Sequence, residues 1–146
     1  MSMRHLALTL FLLGFFGCSE PNQVTLEFRI AEDEPAPGLT EMVFERTGER
    51  FFLHDAVLVD HSDVDSAVVI MHAGRPAVEL VLTSIGTQKF EELTERNVGK
   101  RCGMVLDGQL VSAPRIMAPI RVGRAIVASD FTDAEAHRVA HGLSQP

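Results

Sequence analysis

The chain has 146 residues, 13 Lys+Arg against 20 Asp+Glu, and a formal net charge of −7. That balance argues against nucleic acid as a partner, because phosphates demand a basic surface, and against a polybasic grip on anionic lipid. Trp and Tyr are both absent, which removes the usual stacking platforms for bases and sugars.

The first segment reads as an export signal. Arg4 supplies positive charge, and residues 6–16 are apolar apart from Thr9 and Gly14. Such a run is too short to span a bilayer, which takes about 20 apolar residues. Gly17 and Cys18 close it. A small residue before a cysteine at this place resembles a bacterial lipobox, although Phe15 and Phe16 stand where Leu and a small residue are usual. The resemblance implies cleavage after Gly17 and a diacylglyceryl group on Cys18. The expected division is therefore a lipoprotein signal peptide over 1–17, a polar tether over 18–23 and one domain over 24–146. The expected location is the bacterial envelope, lipid-anchored through Cys18 and facing the periplasm, with the outer membrane favoured because no Asp follows the cysteine. Lipid would be the sole membrane attachment, since no second hydrophobic segment follows. The second cysteine, Cys102, sits in the apolar run 102–106 and reads as core.

Residues 24–30 alternate apolar and polar side chains, which predicts a strand with one wet face. Residues 31–38 carry acids, two prolines and a glycine and read as a loop. Residues 42–46 and 50–53 flank Thr47-Gly48-Glu49 as a hairpin, with 56–59 extending the apolar character. An acidic connection, 60–66, leads to strands 68–72 and 77–83 around Ala73-Gly74-Arg75-Pro76. The spacing of Gly86, Phe90 and Leu93 predicts a helix over 84–98, with Gly99 ending it in the left-handed region. Strands 102–106 and 109–112 flank Asp107-Gly108, the pair a type I′ turn requires. Pro114 and Pro119 bracket an irregular stretch, and 125–128 forms a last strand. Thr132 and Glu135 predict a capping box opening a helix that Gly142 stops. Many strands on short turns, with two late helices, give an α+β fold: an antiparallel or mixed sheet with two helices packed on one face.

The search for chemistry assigns no catalytic, cofactor-binding or metal-binding residue. His137 and His141 share a helix face but lack further ligands, and the His-Glu-x-x-His pattern is missing. Asp60, Asp63 and Asp65 keep none of the register of a calcium loop and read as solvated acids. No Gly-x-Ser-x-Gly elbow occurs. A hydrolase would need a pocket that gathers His54, His61 or His72 with carboxylates.

From residue 78 onward one series of motifs stands out. Leu82-Thr83, Gly86, Lys89-Phe90 and Glu92-Leu93-Thr94 precede Asn97-Val98-Gly99. Val105-Leu106-Asp107-Gly108, Val111-Ser112-Ala113-Pro114, Gly123-Arg124 and Phe131-Thr132 follow. Over 56–143 this order is similar to the periplasmic P1 head of the SecD subunit of the bacterial protein-export machinery. Gly99, Asp107, Gly108, Ser112, Ala113, Pro114 and Thr132 are the motif residues, and their jobs are structural. The resemblance implies contact with unfolded polypeptide or a protein partner, with export machinery among the candidates, and no enzymatic step. SecD continues into transmembrane helices that couple to the proton gradient. No such segment precedes Pro146, so the expectation is a tethered module and not a motor. The competing expectation is a structural or regulatory lipoprotein that reuses the fold.

Overall fold

A computed structural model describes residues 23–144. The expected signal peptide, Cys18 and most of the expected tether lie outside them. Among the described residues there are two antiparallel sheets. The first is built from β1 (Leu26–Glu32), β2 (Thr40–Phe44), β3 (Glu49–Leu53), β4 (Val59–Asp60), β7 (Arg101–Leu106) and β8 (Gln109–Ser112), in the order β2-β3-β1-β7-β8 with β4 beside β1. The second is β5 (Val64–His72), β6 (Arg75–Leu82) and β9 (Arg124–Val127), in the order β5-β6-β9. Two helices, α1 (Ser84–Arg96) and α2 (Asp133–Leu143), complete an α+β fold.

The first sheet curls. Cα atoms of β8 come within 8 Å of β2, although the two strands exchange no ladder bonds. Two cores result. The larger one packs Leu26, Phe28 and Ile30 of β1 against the second sheet and both helices, with Phe28 and Phe90 rings 5.7 Å apart. The smaller one fills the curl with Ala31, Phe51, Leu53, Val105 and Leu110. β7 serves both. Cys102, Met104 and Leu106 face the large core, while Val105 faces the small one. That double burial explains why β7 reads as a continuous apolar run.

Turn chemistry follows the residues. Asp107 (φ 47°) and Gly108 (φ 79°) make the type I′ turn between β7 and β8. Asp107 also accepts a hydrogen bond from the Thr25 backbone N–H at 2.9 Å, tying the start of β1 to this turn. Thr132 and Glu135 form the capping box of α2.

Several expectations need correcting. Residues 31 and 32 belong to β1, not to the loop, because Ala31 buries into the small core and pairs with both Leu53 and Arg101. Helix α1 stops at Arg96, and Asn97 caps it by donating from its side-chain amide to the Leu93 carbonyl at 2.8 Å. Gly142 does not stop α2. It is helical and buried, and Ser144 ends the helix by donating its N–H to the carbonyls of Ala140 and His141. The stretch after Ser112 is not free of pairing either: Cys102 N–H donates to Pro114 O and Ile116 N–H to Lys100 O.

Candidate functional site

Helix α1 separates two surface grooves. Its residues Lys89, Glu92, Leu93 and Arg96 share one face by the i, i+3, i+4, i+7 rule, and Phe90 and Thr94 lie on the neighbouring face. The first face borders a groove of about 440 Å³ whose apolar floor is Ile30, Ala56, Leu58 and Leu93. The second borders a groove of about 500 Å³, between α1, the 114–120 segment and β9, floored by Phe90, Cys102, Met104 and Ala125.

Why α1 sits where it does is set by Asp63. The acidic connection folds into a 3-10 turn (His61–Asp63) in which Asp60 and Asp63 form a capping box. The Asp63 residue is 3 % exposed, and its carboxylate accepts from Lys89 Nζ at 2.9 and 3.0 Å. That pairing raises the Lys89 pKa. The Asp63 carbonyl accepts the Thr83 N–H, and Thr83 caps α1 through the Gly86 N–H. A Cβ on Gly86 would fall on the Asp63 carbonyl oxygen, 2.8 Å from its Cβ, so glycine is required for close approach. Asp63 is therefore a buried positioning group and not a solvated acid. Its partner lies 26 residues away, which local charge spacing does not reveal.

The rim of the first groove is cationic in composition but paired. His54 Nε2 and Lys100 Nζ each lie 3.0 Å from Glu32 Oε1, and Arg96 meets Glu92 at 2.7 Å. The His54 hydrogen bond, followed by that from Lys100, holds the Glu32 carboxyl below its ordinary range. On the neighbouring rim, Arg101 and then Arg115 lower the Asp33 pKa through hydrogen bonds. Burial pushes the Cys102 thiol up to about 12, so this cysteine is packing material with no thiolate to offer.

The catalytic alternatives do not assemble. None of the residues lining the first groove carries a hydroxyl or thiol. His54 stands there, His61 lies on the 3-10 turn and His72 ends β5. The His137 ring lies against the Asp133 carbonyl at 2.8 Å. Among the described residues no three His, Cys, Asp or Glu side chains are grouped to hold a metal. The motif residues act on the fold. Gly99, at φ 88°, donates its N–H to Ile116 O. Ser112 pairs with Met104 across the β7–β8 ladder. Ala113 lies in the small core and its carbonyl accepts from Arg101, while Pro114 supplies the acceptor for Cys102. Both grooves were missed in the sequence, because each draws its walls from segments distant along the chain.

Residues 39–145 match the family model for the SecDF P1 head subdomain. The SecDF translocase subunit of Thermus thermophilus is 41 % identical over 76 residues, 52 % of this chain and 10 % of that protein. The SecD subunit of Acetobacter pasteurianus is 30 % identical over 142 residues, 85 % of this chain and 27 % of that one. A solved structure described as a membrane component SecDF that enhances protein export superposes with a TM-score of 0.68 at 26 % identity, covering 85 % of this chain and 63 % of the other. A second, of a translocon-associated SecDF from Thermus, gives 0.55 at 29 % identity, covering 85 % of this chain and 20 % of that one. The chain thus spans about a tenth to a quarter of the length of these translocase relatives. It belongs to the SecDF P1 head subdomain family. The outer-membrane location expected from the sequence is overturned. SecD and SecDF homologues are multi-spanning proteins of the inner membrane. Among the described residues no helix is long and apolar enough to cross a membrane.

Proposed function

We propose that this P1 head domain binds unfolded polypeptide or a protein partner in connection with protein export. The observation that carries the reading is the pair of grooves whose apolar floors reach core side chains such as Phe90, Leu93 and Met104. An unfolded segment exposes far more apolar surface for such burial than a folded surface does. The ion pairs along the first rim leave little net charge for long-range attraction, so affinity rests on that burial. The relative described as enhancing protein export supports the setting.

The test uses the 146-residue chain with one polypeptide in two states, permanently unfolded by reduction and carboxymethylation, or native. Calorimetry is expected to show binding of the unfolded state only, weakened by Leu58→Glu or Met117→Glu. Equal binding of both states, or none, would reject the proposal and leave a structural or regulatory module. A separate proposal concerns one residue: acylation of the Cys18 sulfur after cleavage behind Gly17. Metabolic acyl labelling should mark the wild type and not Cys18→Ala; equal labelling, or none in either, rejects it.

A further inference from the structure

The second sheet has one interrupted edge and one open edge. On the β5 side the Ser144 hydroxyl accepts the Ala67 N–H at 2.9 Å and lies 3.2 Å from the Ala67 carbonyl. On the other side β9 pairs only with β6, in the register Val78↔Val127 to Val81↔Arg124. The Leu82 N–H donates to Gly123 O at 2.9 Å in the same register. Bonded pairs alternate along an antiparallel ladder. Ala125 and Val127 therefore aim their backbone groups at β6, and Arg124 and Ile126 aim theirs outward. Among the described residues those outward groups meet no hydrogen-bond partner.

The second groove lies along this same edge, since Arg124, Ala125 and Ile126 line it. Met117, 79 % exposed, and Ile120 and Ile126, each 37 % exposed, add apolar surface above its floor. Its only charged lining residues are Arg115 and Arg124. Their acidic partners, Asp33 and Glu79, are not among the lining residues. An unpaired strand edge beside an apolar groove with one methionine on its floor and one above it is the arrangement that accepts an extended segment, the edge supplying main-chain bonds and the groove receiving alternate side chains.

We propose that β9 is an acceptor edge: an extended apolar peptide segment lacking Lys and Arg adds to it as a fourth strand, bonding to the backbone of Arg124 and Ile126. This rests on the polypeptide-binding reading and names its site and ligand class. Cationic segments are disfavoured because the groove lining offers them no carboxylate, the acids nearest to it being engaged by Arg115 and Arg124.

Amide hydrogen exchange on the full chain tests it, with a synthetic peptide of roughly eight alternating Thr, Val and Ile residues, a typical strand length. In the free protein Arg124 and Ile126 should exchange fast and Ala125 and Val127 slowly. With peptide, all four should be slow. The same peptide with Lys at alternate positions should bind more weakly. Ile126→Pro removes one outward donor while sparing the β6 ladder, and should weaken binding about tenfold. Should that variant misfold, Met117→Glu, on an exposed side chain, should weaken binding with the fold kept. Peptide binding with protection confined to the first groove would overturn strand addition and leave polypeptide binding standing. Failure to bind any unfolded polypeptide would overturn both.

Discussion

The two cores of this molecule are built differently. The large core draws on both sheets and both helices, with residues from Val24 to Leu143 but none from β2 or β3. The small core comes from the first sheet alone, folded over itself, with Met42 and Phe44 closing its open side. One is a layered core of the usual α+β kind; the other is the inside of an incomplete curl. The difference teaches where the molecule can yield. The grooves flank α1 and open into the large core, so apolar material meant for ligands is continuous with the material that holds the fold. No small-core residue lines either groove, so the two regions can be probed separately.

The strongest break is Phe28→Ala. Phe28 is fully buried and its ring lies tilted against that of Phe90, and removing a buried Phe side chain costs about 3–5 kcal/mol. Chemical denaturation should show that loss in one cooperative transition, with Cys102 becoming reactive to iodoacetamide only as the protein unfolds. Leu53→Ala in the small core should cost about 2–4 kcal/mol. Hydrogen exchange should then rise in β2 and β3 while β6 and α2 stay protected. If both variants raise exchange everywhere alike, the two cores are one cooperative unit. Next comes Gly86→Ala, expected to cost about 1–3 kcal/mol because the new methyl group meets the Asp63 backbone. Its mark should be shifted amide resonances in the first turn of α1 and the 3-10 turn. The smallest effect is electrostatic. Glu32 is held below its ordinary value of 4.5, so its carboxylate takes up a proton less readily in the folded protein than in the unfolded chain. Its stabilisation is present above about pH 4.5 and is lost as pH falls through the lowered folded value. Stability should therefore drop on acidification through that range, and Glu32→Gln should flatten that part of the profile.

Much of the large core was legible because its strands carry their own punctuation. Asp107-Gly108, the capping box at Thr132 and the apolar spacing of Phe90 and Leu93 are local signals, and each appears where the pattern places it. The split into two sheets was not legible. It depends on β1 finding β7 and β6 finding β9, pairings set by packing across long loops and not by any short motif. The alternation at 24–30 likewise misstated the outer face of β1. Glu27 and Arg29 read as a wet face, yet they are half-buried and paired with each other. Asp63 read as solvated for a related reason, since its burial depends on Lys89 and Gly86 arriving from the next helix. The grooves lay beyond reach because no segment contains one.

The Ser144 hydroxyl against Ala67 has a consequence for assembly. A three-stranded sheet with two open edges can join copy to copy, each β9 extending the next β5, in a series with no natural end. Here a strand reaching β5 would first have to evict a hydroxyl fixed at the end of α2. On the proposed reading β9 receives a strand, while at the Ala67 position of the opposite edge a hydroxyl already occupies the place a copy's backbone would take, which disfavours growth from copy to copy.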